Sequence, residues 1–193
     1  LNNNYVNYSS ITRCVTESLS SYHILYLYYG KICCPSVNMS LNKCQYYSGI
    51  YCYPYGDSNS VTCSLSYSSF ADNIANGYTC IILNTNQAKY ESKSCNIIRN
   101  AQGSLSSYGT ISTWGNLMIY DSCILENNAT NTFYLADSYM ITLSNCTIDS
   151  ISNNRNLNTQ NTVTKSFILA LKHISTQNCH AEYDSVGSLT PNL

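Results

Sequence analysis

The sequence predicts an all-β fold, a right-handed single-stranded parallel β-helix of about seven coils. Three observations predict it. A degenerate pattern recurs along the chain, apolar-x-apolar-x-x-Cys/small-x-apolar-x-x-Asn. Its clearest copy is Cys63-Ser64-Leu65-Ser66-Tyr67-Ser68-Ser69-Phe70-Ala71-Asp72-Asn73. With the Cys/small position as marker, the copies fall at Cys14, Cys44, Ser68, Cys95, Cys123, Cys146 and Ile174, at intervals of 23 to 30 residues. A period in that range marks a solenoid, in which each repeat buries its apolar face only against its neighbours. Within each copy the apolar positions come in pairs two residues apart, the alternation of a strand rather than a helix. Right-handedness follows from the preference of parallel crossovers for that hand.

Around Cys95 the recurring positions are Tyr90, Ser92, Ile97 and Asn100, and around Cys146 they are Ile141, Leu143, Ile148 and Ile151. Around Cys123 they are Met118, Tyr120, Leu125 and Asn128. Around Cys44 they are Met39, Leu41, Tyr46 and Gly49, and the last copy holds Leu169, Leu171, Thr176 and Cys179. The three-residue step across the marker flips the strand register once, as a bend requires. A second apolar patch lies between markers at 24–28, 50–53, 78–83, 108–112 and 132–135. These stretches are β-branched and aromatic, and Asn, Gly, Ser and Asp separate them. One coil therefore holds two or three short strands. An Asn repeated at one turn tolerates the left-handed conformation and can hydrogen-bond its equivalent on the next coil.

The pattern predicts one domain over residues 1–193, with an irregular Tyr/Cys-rich part at 1–60 and regular coils at 61–180. No initiator Met and no polar end caps occur, so the expectation is an excerpt of a longer chain. Nine basic and ten acidic residues argue against a nucleic-acid surface. No apolar run approaches the roughly 18–20 residues of a membrane span, so membrane contact is expected only through an anchor outside this sequence.

Eleven cysteines suggest an oxidising compartment. Cys14, Cys44, Cys95, Cys123 and Cys146 fall on the repeat marker and should stack as one interior column, either of packed thiols or with some of them in disulfides. Cys33, Cys34, Cys52, Cys63 and Cys80 lie off it and are the better disulfide candidates, in a connectivity the sequence leaves open. No Cys-x-x-Cys spacing occurs, so neither a metal nor another cofactor is expected, and the group Cys179, His180 and Glu182 lacks zinc-site spacing. Asn-x-Ser/Thr sequons at Asn7, Asn38, Asn128 and Asn145 are candidate glycosylation sites.

Phe70-Ala71-Asp72-Asn73 resembles the Phe-x-x-Asn repeat of polymorphic outer-membrane proteins of chlamydial type. Ile97-Ile98-Arg99-Asn100 and Leu125-Glu126-Asn127-Asn128 look like variants of it, and Gly109-Thr110-Ile111 is a reduced form of the family's Gly-Gly-Ala-Ile repeat. The Asn/Tyr/Cys-rich texture is similar to that of protozoan, trichomonad-type surface families with β-helix repeats. The resemblance covers residues 40–180 and implies a cell-surface or secreted, adhesin-like protein.

The functional expectation is a non-catalytic extracellular segment that binds a protein or glycan on another cell surface, or serves as a stalk. Tyr47, Tyr51, Tyr53 and Tyr55 are the candidate binding residues, because Tyr offers a rigid apolar face and a hydroxyl. One alternative is a polysaccharide lyase or hydrolase, for which Asp121, Asp149, Lys93 and Arg99 are the available groups. Another is a coat or filament subunit that self-associates through open coil ends.

Overall fold

A computed structural model describes residues 3–16, 23–77, 79–103, 108–136, 138–149 and 156–164. They form an all-β parallel solenoid, with every strand pairing in parallel with its equivalent on the next coil. Four sheets make the faces. Sheet A stacks Asn3–Tyr5, Lys31–Pro35, Val61–Ser66, Lys89–Lys93, Asn116–Tyr120, Ile141–Ser144 and Leu157–Gln160. Sheet B stacks Ser9–Thr12, Val37–Ser40, Ser69–Ala71, Asn96–Ile98, Cys123–Leu125, Thr147–Ile148 and Val163–Thr164. Sheet C holds the two-residue strands Lys43–Cys44, Ile74–Ala75 and Ala101–Gln102. Sheet D stacks His23–Tyr28, Tyr47–Tyr53, Thr79–Leu83, Ile111–Thr113 and Phe133–Leu135.

The described residues make about five turns, fewer than the seven that the repeat count predicts. Successive strands of sheet A pair 24 to 31 residues apart until Ile141, whose partner Leu157 follows after only 16. Sixteen residues are too few to pass through all four faces at the length the earlier coils use. The copy at Leu169 to Cys179 lies outside the described residues.

Three interior columns carry the core. Ile32, Cys63, Tyr90, Leu117 and Ile141 line sheet A; Met39, Phe70, Ile97, Ile124 and Ile148 line sheet B; Ile50, Ile81, Ile111 and Phe133 line sheet D. All are buried. Burying a large apolar side chain stabilises by about 1.5–3 kcal/mol, so these columns hold the coils together.

Single residues with positive φ turn the corners. Between sheets A and B they are Tyr8, Ser36, Tyr67, Ser94, Asp121, Asn145 and Asn161. After sheet B they are Arg13, Leu41, Asp72, Arg99 and Glu126. A left-handed residue other than glycine costs about 1–2 kcal/mol, and side-chain ladders beside both corners offset that cost. At the first corner, Ser9, Ser68, Cys95, Ser122, Cys146 and Thr162 each donate to the carbonyl two residues earlier. The backbone N–H of Cys95 in turn donates to Ser122 Oγ, and that of Val37 to Ser68 Oγ.

At six of the seven described A–B corners the marker is therefore a hydroxyl or thiol that closes the corner, Val37 being the exception, which corrects the expected five-thiol column. Of the five marker cysteines, only Cys95 and Cys146 belong to it. The copies at Cys123 and Cys44 are out of phase. Ser122, one residue before Cys123, is the true marker, so Leu117 and Ile119 point inward where the pattern predicts Met118 and Tyr120. A slip of one residue exchanges the two faces of a strand. In the second coil the marker is Val37, while Cys44 sits in sheet C and Leu41 is exposed at the corner. Cys14 is exposed.

The second corner carries an asparagine ladder. Asn42, Asn73, Asn100 and Asn127 stack on successive coils, each following a left-handed residue rather than adopting that conformation itself. Asn127, not the predicted Asn128, is the rung of its coil. This is the structural meaning of Phe70-x-x-Asn73: the Phe fills the core and the Asn closes the turn.

Candidate binding site on the outer face of sheet D

Side chains alternate along a strand, so Tyr51, Tyr53, Ile82 and Asn84, which follow the buried Ile50, Cys52, Ile81 and Leu83, lie on the outer side of sheet D, while Cys80 at the bulge is buried. Two outward columns result. Register places Tyr26, Tyr51, Ile82, Ser112 and Tyr134 in one, with its middle members Ile82 and Ser112 buried. The other runs Tyr28, Tyr53, Asn84 and Trp114; the N–H of Asn84 bonds to Cys52 O and that of Trp114 to Leu83 O, both at 2.9 Å.

Aromatic rings cover both ends of this face. In the first two coils His23 stacks on Tyr26 at 4.9 Å and on Tyr47 at 4.8 Å, with Tyr51 edge-on at 4.6 Å. Tyr53 stacks on Tyr28 at 5.4 Å. In the later coils Tyr108, Trp114 and Tyr134 form a second group, with centroids 4.7 to 5.7 Å apart. Three of the four predicted binding tyrosines, Tyr47, Tyr51 and Tyr53, thus share one face. Tyr55 sits beyond the strand end, its N–H bonded to Gly30 O. The second ring group is missing from the predicted site. Its signal lay in the sequence, because 108–112 and 132–135 read as strands equivalent to 50–53.

Between the ring groups lies an open cleft of about 480 Å³ lined by Tyr53, Asn84, Thr85, Asn86 and Trp114. Its floor is fixed: Asn84 Nδ2 donates to the Tyr51 hydroxyl, and Thr85 Oγ1 donates to Pro54 O at 2.8 Å. Gly56 lets the loop of the second coil lie on that of the third, since a Cβ there would stand 2.8 Å from Asn86 O. Burial lowers the pKa of His23, so the imidazole is neutral at pH 7, and burial raises those of Tyr26 and Tyr51. This ring group is therefore uncharged at pH 7, and the cleft beside it is lined by no Asp, Glu, Lys, Arg or His.

The groups considered for catalysis do not converge as the sequence pairs them. Asp121 stands at the A–B corner and Asp149 just past the far end of a sheet B strand. Arg99 is held by Asp72 in a two-point ion pair of 2.9 and 2.8 Å. A shallow groove of about 230 Å³ on sheet A does gather Glu91, Lys93, Tyr120 and Asp121. Burial, with Glu91 adding, raises the Tyr120 hydroxyl, and Asn145 Nδ2 donates to Asp121 Oδ1 at 2.6 Å.

All five disulfide candidates stand as free thiols in the structure, with Cys33 half-buried and Cys34, Cys52, Cys63 and Cys80 buried. Cys34, Cys52, Cys63 and Cys80 project into the core because their strands are as regular as the later ones, and Cys33, between the inward Ile32 and Cys34, lies on the other side of its strand. Cys52 hydrogen-bonds to Cys63, and that bond, with burial, raises the Cys52 thiol well above its ordinary range. Among the described residues, no group of three His, Cys, Asp or Glu is placed to hold a metal. Cys179, His180 and Glu182 lie outside them. The sequon residues Asn7, Asn38, Asn128 and Asn145 are all exposed.

The fold and this face define the class as a parallel β-solenoid with an aromatic outer face. No protein family, curated protein or solved structure matches the chain.

Proposed function

We propose that the chain is a non-catalytic segment of an extracellular surface protein, a rigid solenoid that presents sheet D as an adhesin-like binding face. The observation that carries this reading is the pair of ring groups on one face with an uncharged cleft between them. Tyr and Trp supply contact area at low conformational cost, and concave sites with a few polar groups are where ligands bind. Two features support a surface location: the four exposed sequons, and the likeness of the Phe-x-x-Asn repeat to that of polymorphic outer-membrane proteins and of the Asn/Tyr/Cys-rich texture to protozoan surface families. The partner is a protein or glycan on another cell. Immunolabelling of intact source cells, together with binding of the purified chain to cell layers, tests the reading. Labelling without permeabilisation and loss of binding in Tyr51→Ser/Tyr53→Ser are expected; an intracellular signal overturns it.

The second reading is a polysaccharide lyase or hydrolase working in the sheet A groove, favoured by the convergence of Glu91, Asp121 and Lys93 there. Paired carboxylates and a base are what glycan cleavage needs. Turnover of polygalacturonate or alginate that disappears in Asp121→Ala would replace the first reading with this one.

A further inference from the structure

We propose that the slot between Tyr53 and Trp114 takes a sugar ring, so that the ligand of this face is a neutral glycan; this rests on the reading of sheet D as a binding face. Tyr53 and Trp114 occupy one outward column two coils apart, with Asn84 between them. Neighbouring parallel strands stand about 4.8 Å apart, so the two aromatic positions are separated by roughly 9.6 Å. A short amide at the middle position leaves a gap where a third ring would have filled the column. That gap opens into the cleft of about 480 Å³, within the range of small-ligand sites.

The lining chooses the ligand. Aromatic rings at both ends of the gap suit the apolar C–H surfaces of a pyranose, while amides and hydroxyls at the floor and rim suit its hydroxyls. Asn86 is exposed at the rim and can both donate and accept. None of the five lining residues carries a charge. A sulfated or uronic sugar would need a cation in the site, usually an arginine. A protein partner would need a broad, flat patch burying on the order of 1,000 Å² or more rather than a slot. The polar interruption of this column by Asn84, Thr85 and Asn86 does not provide one.

Trp114 is the chain's sole tryptophan, so its fluorescence reports on the slot directly. The intact chain would be titrated with the neutral polysaccharides mannan, laminarin and galactan, and with polygalacturonate and chondroitin sulfate. A saturable change in Trp114 emission with at least one neutral polymer, none with the acidic ones, and at least tenfold weaker binding by Asn86→Ala are expected. No response to any neutral polymer, a response to acidic polymers alone, or full affinity in Asn86→Ala overturns the proposal. Binding to cell layers that depends on Tyr51 and Tyr53 yet survives periodate oxidation of the surface sugars also overturns it. That last result leaves the binding-face reading standing, which separates the two failures.

Discussion

Asn73 and Asn100 are joined twice: Asn73 Nδ2 and the Asn73 backbone N–H both donate to Asn100 Oδ1, at 2.9 and 3.1 Å. Asn73 Oδ1 receives the same two bonds from Asn42, at 3.0 and 3.1 Å. Asn100 repeats the arrangement on Asn127. The second amide proton of each rung goes to the carbonyl three residues before the preceding rung: Asn73 to Met39 O, Asn100 to Phe70 O and Asn127 to Ile97 O. The ladder thus satisfies buried backbone groups at a corner that no strand ladder reaches.

Removing an interior rung orphans several groups at once. In Asn73→Ala, the Asn42 N–H, the Asn42 amide and the Met39 carbonyl all lose a partner. Each buried orphan costs about 1–3 kcal/mol, so a loss of ~3 kcal/mol or more is expected. Asn127→Ala orphans the equivalent three groups, the Asn100 N–H, the Asn100 amide and the Ile97 carbonyl, but at a half-buried position where water can replace the lost side chain, so about 1 kcal/mol is expected. Urea unfolding followed by far-ultraviolet dichroism compares the two. Equal costs would mean that water does not replace the lost partner at the half-buried rung.

Gly49 lies in a bulge, where the register steps from Tyr47 opposite His23 to Ile50 opposite Leu25. A Cβ on Gly49 would stand 2.4 Å from Cys80 O and 2.8 Å from Cys80 Sγ, so the backbone of the next coil has to give way. Gly49→Ala should cost about 1–3 kcal/mol, as overpacking does. Because the bulge sits between Tyr47 and Tyr51, the near-ultraviolet signal of the tyrosine group should fall while the far-ultraviolet β signal persists. An unchanged near-ultraviolet spectrum would separate the bulge from the ring group.

The sequence shows the solenoid and its interior columns most clearly where apolar residues alternate with polar ones, as in the copies at Ser68, Cys95 and Cys146. It misleads where both alternations are apolar. Leu117-Met118-Ile119-Tyr120 has a hydrophobic residue at every position, so a shift of one residue reads equally well until stacking fixes Leu117 over Ile141. Asn127-Asn128 poses the same ambiguity at the corner. The cysteines misled for a related reason. A small thiol suits a closing corner, a sheet C strand and the core alike, so spacing alone did not place it. Tyr47, Tyr51 and Tyr53 were legible as a surface group because they cluster locally. Trp114 joins them only through stacking across coils, which local spacing does not reveal.

His23 gives the aromatic group a pH response. Burial against Tyr26, Tyr47 and Tyr51 lowers its pKa below the ordinary imidazole value of about 6.5. In the window just below that value the unfolded chain binds a proton that the folded chain refuses, so stability falls as pH drops through it. A two-dimensional spectrum following the His23 ring should give a midpoint under 6.5. His23→Phe should flatten the thermal midpoint between pH 7 and 5.5. A midpoint above 6.5 would show that the imidazolium is welcomed by the rings instead.

The buried thiols make the opposite prediction at alkaline pH. Burial pushes Cys80 up to about 12 and Cys146 up to about 11, and it raises Cys95 in the same direction. Their contribution to stability is therefore full below the ordinary thiol value and is lost as pH rises from about 9 toward the folded values. The thermal midpoint should fall between pH 9 and 11, and Cys80→Ala should reduce the slope. At pH 8 the same burial keeps the thiols protonated and out of reach. Iodoacetamide should then modify Cys14 and Cys33 in the native chain, while Cys34, Cys52, Cys63, Cys80, Cys95 and Cys146 react only in urea. Peptide mass spectrometry reads both states. Native labelling of Cys80 at the rate of Cys14, or a Cys52–Cys63 disulfide in protein prepared without oxidant, would show that this core is not the thiol-lined interior described above.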